Sequence, residues 1–558
     1  MSQDHPAFYG DTPEQSPASS IPADLLPYLE AANAPADEEE ETQGTQSAHD
    51  YAQVDSNEDE ARARLKEVLE ASLLLGPDPA MISEIEGDYD LGEEWAEDIE
   101  EYEREQALTT AADDAALASR VGEIYSSIIA RAPEHKIQPS LERVEKVMDI
   151  LGDPQHTYPS IHIAGTNGKT TTARMVDSLL TALGMRVGRF TSPHLSDPRE
   201  RISVEGEPIS RSGFIAAWED VAPYISMVDH EGIRLSFFEV FTVMALAAFA
   251  DHPVDAAVVE VGMGGTWDST NVINADVAVI TPISRDHEKW LGSDLHQIAK
   301  EKAGIIKPGQ IVVISAQDNE EVTQILLDRA REVDAIVRLE GSDWEILDRQ
   351  LGVGGQLITV RTPSAVYEDI FVPLLGQHQA HNAGAAIVAV ESFLGGRPLD
   401  AAVAEKGMLD VTSPGRLQVI RSSPRIIVDA AHNPGGARAL ATALEESFDL
   451  QRIVGVFSAM ADKDVESLLA EIEPTLDHIV LLEMSDPRAM ALEDLETVAT
   501  EVFGADRVST AEGLAEAVDV AAHIAEDSAA PADVAGIVVF GSVVLAGAII
   551  DMVQARRR

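Results

Sequence analysis

The chain has 558 residues, 45% of them hydrophobic, and no cysteine. That length suits about two to four domains of ~100–200 residues, and the composition excludes a small disulfide scaffold, a thiolate nucleophile, Cys-ligated zinc and iron–sulfur clusters. The net charge of −57, from 97 acidic and 40 basic side chains, repels phosphate backbones, so nucleic acid is not an expected partner.

Residues 1–110 carry 30 acidic and 4 basic side chains, nearly half the net charge in a fifth of the length. Such a stretch buries too little apolar surface to offset its ordering entropy. Residues 1–55 are expected to be disordered, and residues 60–75 fit one amphipathic helix. The whole segment reads as an acidic extension, either solvating or regulatory, and a charge run is more often simply solvated. The first twenty residues hold no Lys or Arg and no apolar core, so no signal peptide is expected.

From about 112 helical periodicity runs through Leu117, Val121, Ile124 and Ile128, and again through Leu141, Val144, Val147 and Leu151. Strands are then predicted over 160–164, 256–261, 277–282 and 311–315, with helices over 170–183 and 295–303 between them. This alternation argues an α/β fold with a largely parallel sheet. Residues 340–375 look like a hairpin around Gly352–Gly355, and 379–394 is strongly helical.

The turn-rich Thr412-Ser413-Pro414-Gly415 marks a boundary, dividing 111–412 from 413–558. Beyond it the alternation restarts, with strands over 425–428, 453–457, 478–482 and 536–540 and helices over 436–448 and 465–472. The longest apolar run, Ile537–Ile550, is too short for a span of ~20 residues and contains Gly541, Ser542 and Gly547. It reads as a buried strand running into a helix. A cytoplasmic chain without a membrane partner is expected.

The strongest local signal is Gly165-Thr166-Asn167-Gly168-Lys169-Thr170-Thr171, where a β-rich run enters a glycine-bearing loop and a helix leaves it. Loop amides and a helix N-terminus cradle phosphates. Lys169 would meet the β/γ-phosphates and the Thr170 hydroxyl would approach Mg²⁺. Ile163 stands where the usual pattern has its first glycine, and the competing reading is an ordinary strand–turn–helix. Glu260 ends an apolar run, which puts a carboxylate on the ligand-bearing edge of a parallel sheet and makes it a natural Mg²⁺ ligand. Asp286-His287 follows another strand to the same edge, and Lys302 lies in a helix just beyond. Alone, each of the three also reads as an ordinary edge, loop or solvated residue. Asp429-Ala430-Ala431-His432 marks the site edge of the second α/β unit.

Together these segments resemble the Mur-ligase superfamily of ATP-dependent amide-bond ligases. Within it they resemble the folylpolyglutamate synthase/dihydrofolate synthase family. The matching pieces, in family order over roughly 115–550, include Thr191-Ser192-Pro193-His194-Leu195, Phe237-Phe238-Glu239, Glu260-Val261-Gly262, Glu301-Lys302-Ala303-Gly304-Ile305, His378-Gln379 through Asn382-Ala383, Pro414-Gly415-Arg416 and Ala459 through Asp464. Gly264-Gly265-Thr266 departs from the family's usual Gly-Gly-Arg.

The resemblance implies a P-loop-type central ATPase domain and a smaller Rossmann-like C-terminal domain. It implies ATP held by the loop residues Gly165 to Thr171 and by Asn382, Arg416, Asp429 and His432. It implies two Mg²⁺ ions, one on Thr170, Ser192 and Glu260, the other on Glu260, His287 and a carbamylated Lys302. Lys169, His287 and Lys302 would carry catalysis. The activity implied is ligation of L-glutamate to tetrahydrofolate, and to dihydropteroate in bifunctional members, through an acyl phosphate. Pro193, His194, Phe237, Phe238 and Glu239 are candidates for the folate wall. A monomer acting on small molecules is expected. Of two rivals, a peptidoglycan-precursor ligase would need a nucleotide-sugar-binding domain that residues 1–110 are too acidic and apolar-poor to supply, and a non-catalytic binding protein on a ligase fold would not need Lys169, Glu260, His287 and Lys302 together.

Overall fold

The computed structural model describes residues 112–131, 140–232, 234–526 and 534–557. The expectations for 1–55 and 60–75 lie outside them.

Short apolar runs set the first sheet. Its strands are β1 (Ser160–Ala164), β2 (Val187–Phe190), β3 (Ile202–Val204), β4 (Glu207–Pro208), β5 (Ala256–Glu260), β6 (Val277–Ile280), β7 (Ile311–Ile314) and β8 (Ile336–Leu339). They lie in the order β4-β3-β2-β5-β1-β6-β7-β8. From β2 to β8 in that order every pairing is parallel, and the β2–β3 and β3–β4 pairings are antiparallel. β1, β5 and β6 are buried along their whole length, as expected of a parallel sheet covered on both faces.

One face packs against the Lys169–Ala182 and Gln377–Phe393 helices. The other meets the Phe237–Asp251 helix, backed by the Arg211–Glu231 helix and the helical residues 112–129. The Phe237–Asp251 helix is apolar nearly all round, which marks an interior helix.

The predicted hairpin at 340–375 gains a third strand. β9 (Glu345–Gly352), β10 (Gly355–Arg361) and β11 (Val366–Val372) form an antiparallel sheet in the order β11-β10-β9. In β11, Tyr367, Ile370 and Val372 turn inward and Glu368 and Asp369 outward, a pattern distorted by a bulge opposite Ile358–Val360.

A third sheet has β12 (Gln418–Ser422), β13 (Arg425–Val428), β14 (Arg452–Phe457), β15 (His478–Leu482), β16 (Val508–Ala511) and β17 (Ala535–Phe540), in the order β12-β13-β17-β14-β15-β16. Only β12 is antiparallel to its neighbour. Apolar clusters cover both its faces. The run Ile537–Ile550 is strand β17 followed by the Val543–Arg557 helix, as its two glycines and serine suggested. Among the described residues no helix is long and apolar enough to cross a membrane.

In the first sheet β1 has β5 on one side and β6 on the other. Connections diverge at such a point and leave a crevice beyond the strand ends, where α/β folds bind ligands.

Candidate active site

β1 ends at Ala164, and residues 165–168 turn into the Lys169–Ala182 helix. Two glycines make the turn, at φ 147° for Gly165 and 89° for Gly168. A Cβ at Gly165 would stand 1.9 Å from Thr281 Oγ1, and one at Gly168 2.6 Å from Asn382 Oδ1. Only glycine permits both the backbone angle and the approach. The Thr166 and Asn167 amides donate to the Pro282 carbonyl at 3.0 and 3.3 Å, clamping the loop to the segment after β6. No side chain caps the helix at Gly168, so its first N–H groups are left for an anion. Lys169 Nζ donates to the Thr166 carbonyl at 3.1 Å.

Glu260 is the last residue of β5 and is 1% exposed. The Thr170 hydroxyl donates to its two carboxylate oxygens at 2.9 and 3.0 Å, and the Ser192 amide to one of them at 3.2 Å. Burial pushes its carboxyl up, against the nearby Lys169 charge. The three residues expected at the first ion therefore meet. A set of carboxylate and hydroxyl oxygens suits a hard cation such as Mg²⁺.

Lys302 is buried on the Leu295–Ala303 helix and donates from Nζ to the Gly165 carbonyl at 2.7 Å. Burial, with Lys169 close by, lowers its ammonium to about 7. As a bare amine it does not fit a cation site; as a carbamate it would. His287 holds a left-handed backbone, φ 53°, which residues with a side chain mostly avoid and which recurs at functional sites. Burial lowers its imidazole to about 3, leaving it neutral and able to ligate. Among the described residues no three His, Cys, Asp or Glu side chains cluster to hold a metal by themselves. A cation held there would need Lys302 to become anionic.

The edge of the six-stranded sheet faces this loop across one cavity of about 540 Å³. Every residue expected to touch ATP or Mg²⁺ lines it, including Asn382, Arg416, Asp429 and His432 from beyond residue 380. Asp429 accepts the Leu417 and Ala431 amides, both at 2.8 Å, and burial raises its carboxyl. Asn382 donates to Gln379 Oε1 at 2.9 Å.

The folate candidates divide. Pro193, His194, Phe238 and Glu239 line the cavity, but Phe237 does not. Its ring is buried, with the Arg201 guanidinium 4.9 Å from its centroid. Phe237 therefore stands behind the cavity lining rather than in it. Arg201 Nε donates to His194 Nδ1 at 2.8 Å, while Tyr125 Oη meets His194 Nε2 at 3.2 Å. Glu239 accepts from Arg143 at 2.7 and 3.0 Å and closes a capping box with Ser236.

Asn433 and Lys463 lie inside segments that the sequence marks, but no pattern gives either a role. Asn433 donates to Asp286 at 3.1 Å and Lys463 at 2.6 Å, so a buried carboxylate of the first sheet's edge is held by two residues of the other unit. The available signal was Asn433 before Pro434, a helix-start pattern. The cavity also has an aromatic wall from Trp267, and Trp290 and Arg488, which no pattern marked, line it too.

A phosphate loop on a parallel sheet, with a buried edge carboxylate and a second α/β unit closing the cavity, defines a Mur-type ligase architecture. Two family profiles agree: the Mur ligase middle domain matches residues 163–390 and the Mur ligase glutamate ligase domain residues 415–543. The chain belongs to the dihydrofolate synthase/folylpolyglutamate synthase family. It is 51% identical over 442 residues to the dihydrofolate synthase/folylpolyglutamate synthase of Mycobacterium tuberculosis, across 75% of this chain and 91% of that one. A solved M. tuberculosis folylpolyglutamate synthase complexed with ADP is 49% identical at a TM-score of 0.75, over 78% of this chain and 99% of that one. Escherichia coli FolC, solved in complex with DHPP and ADP, is 29% identical at a TM-score of 0.69, over 78% of this chain and 98% of its own.

Proposed function

We propose that this chain is an ATP-dependent carboxylate–amine ligase that adds L-glutamate to tetrahydrofolate and to dihydropteroate. The observation that carries this reading is the single cavity in which the phosphate loop, Glu260 and Lys302 face Asp429 and His432. The family relationship supplies the substrate class. A free carboxylate does not acylate an amine, because its oxygen is a poor leaving group. The acceptor carboxylate takes the γ-phosphoryl of ATP, giving an acyl phosphate and ADP. The glutamate amine then attacks the acyl carbon, loses a proton, and phosphate leaves.

In this reading residues 111–412 form the ATP-binding domain and 413–558 the C-terminal ligase domain, with 1–110 an extension outside both. The loop amides and Lys169 bind and orient the triphosphate. Asn382, Arg416, Asp429 and His432 add nucleotide contacts from both domains. Thr170, Ser192 and Glu260 would hold one Mg²⁺, and Glu260, His287 and carbamylated Lys302 a second. Bound there, the ions neutralise charge that spreads over the transferring phosphoryl. Pro193, His194 and Phe238 border the acceptor, and closure of the two units excludes water from the acyl phosphate. The enzyme acts as a cytoplasmic monomer on small molecules.

The test is ADP release by the purified chain with Mg²⁺, glutamate and either dihydropteroate, tetrahydrofolate or no acceptor. Release that requires an acceptor and glutamate is expected with both folates. ADP release with neither folate, or release indifferent to glutamate, overturns the reading.

A further inference from the structure

The loop Thr191–Arg201 carries Ser192 and His194 into the cavity. It is closed at its neck, where the Thr191 amide donates to the Arg201 carbonyl at 3.0 Å. Glu200 fills its centre and accepts the amides of Leu195, Ser196 and Asp197 at 2.8, 3.1 and 2.9 Å. The loop is therefore a compact unit, and what it leans on decides where Ser192 and His194 stand.

It leans on the Val543–Arg557 helix, which belongs to the six-stranded sheet. Gly547 is buried at the contact, and a Cβ there would lie 2.3 Å from the Leu195 carbonyl oxygen and 3.0 Å from its carbon. A backbone atom cannot swing aside as a side-chain tip does. One turn on, Ser196 Oγ donates to Asp551 Oδ1 at 2.8 Å. The Leu195 side chain packs into the apolar cluster of Leu545, Ala546 and Ile549. Positions 543, 547 and 551 are four residues apart and share one helix face. Val543, at its head, itself lines the cavity.

We propose that Gly547 is a positioning residue: by admitting the Leu195 backbone against the helix, with Asp551 holding Ser196, it makes the C-terminal unit set the position of Ser192 and His194. The kinetic consequence rests on the function proposed above, in which Ser192 and His194 serve the metal and the folate acceptor. The geometric consequence does not.

Gly547→Ala in the full chain forces the loop off the helix. A displacement of about 1 Å at a positioning contact costs up to ~10²-fold in rate. The expected result is an increase of about tenfold in the KM for the folate acceptor, with the KM for glutamate within about twofold of wild type. Amide exchange should rise over 192–201 and stay unchanged over 165–170. Asp551→Ala, at an exposed pair that carries no core, should move the same two readouts in the same direction by less. Asp551→Asn, which keeps an acceptor oxygen, should restore them. Unchanged loop exchange in both Gly547→Ala and Asp551→Ala overturns the proposal. So does a rise in exchange spread over both segments with a fall in thermal midpoint, which would make the contact ordinary packing. If the wild-type chain shows no folate-dependent ADP release, the functional reading fails, and the exchange arm still decides this one.

Discussion

Asn167 and Asn433 face each other as reciprocal amides, each donating to the other's carbonyl oxygen, at 3.2 and 3.0 Å. Asn167 sits in the phosphate loop, and Asn433 caps the Pro434–Ser447 helix of the other unit. Asn433 also reaches Asp286, whose carboxylate takes Lys463 at 2.6 Å. One small polar network thus ties the loop that would hold phosphate to the unit that would close over it.

Within that network Lys463 and Asp286 are a buried ion pair, their side chains 10% and 7% exposed. Removing one partner leaves the other charge without this counter-ion, at a cost of up to ~3–5 kcal/mol for buried pairs in general. Lys463→Met should therefore lower the thermal midpoint. Asp286→Asn combined with Lys463→Met should recover part of the loss, because no charge is then left unpaired. Thermal unfolding of the two single variants and the double variant checks this. A double variant that loses the sum of the two single losses would show the pair to be uncoupled.

Lys169→Ala should leave the fold intact and abolish ligation. The side chain faces the cavity and donates to the Thr166 carbonyl of its own loop, so it takes no part in the apolar core. A single lost charge-stabilising donor costs ~10²–10³ in rate, and a phosphoryl-facing ammonium should cost at least that. The check is ADP release at matched folded concentration, with circular dichroism as the control. Turnover near wild type would remove Lys169 from the site.

Much of the frame was legible along the chain. β1, β5, β6 and β17 are short apolar runs because both their faces are covered. Glu260, His287 and Asp429 were readable because each follows such a run onto the sheet edge. The Phe237–Asp251 helix was not readable, since a helix buried nearly all round has no amphipathic period to detect. β11 was missed because a bulge disturbs its pairing with β10. The polar pairs that shape the site were out of reach for a different reason. Arg143 and Glu239 are 96 residues apart, Lys463 and Asp286 are 177, and Asn167 and Asn433 are 266. No local pattern carries a contact over such distances.

Deleting residues 1–105 should leave turnover within about twofold of the full chain, because the segment holds neither an apolar core nor a motif. The measurement is kcat/KM for both folates at equal folded concentration. Loss of most activity in the truncated chain would give the extension a direct part in catalysis or in holding the fold.

The last prediction concerns Lys302. Its amine is buried against the Gly165 carbonyl, and its ammonium is lowered to about 7, mainly by burial and then by the Lys169 charge. Only the neutral amine attacks carbon dioxide, and the product is an anionic oxygen donor that a hard cation accepts. Below about 7 the ammonium predominates and carbamate formation is starved; above it the amine is free to react. Enzyme stripped of carbon dioxide at low pH should therefore regain activity faster as pH is raised from 6 to 8, and faster still with added bicarbonate. Lys302→Ala should lose magnesium-dependent turnover and gain nothing from bicarbonate, while a small carboxylate should restore part of it. Lys302→Glu should keep some function, since it retains an anionic oxygen on a shorter arm. An exposed lysine pairing with a neighbouring acid would be worth at most ~1 kcal/mol and would leave turnover unchanged in Lys302→Ala. Wild-type magnesium dependence in that variant, together with activity indifferent to bicarbonate in the parent, would exclude the carbamate.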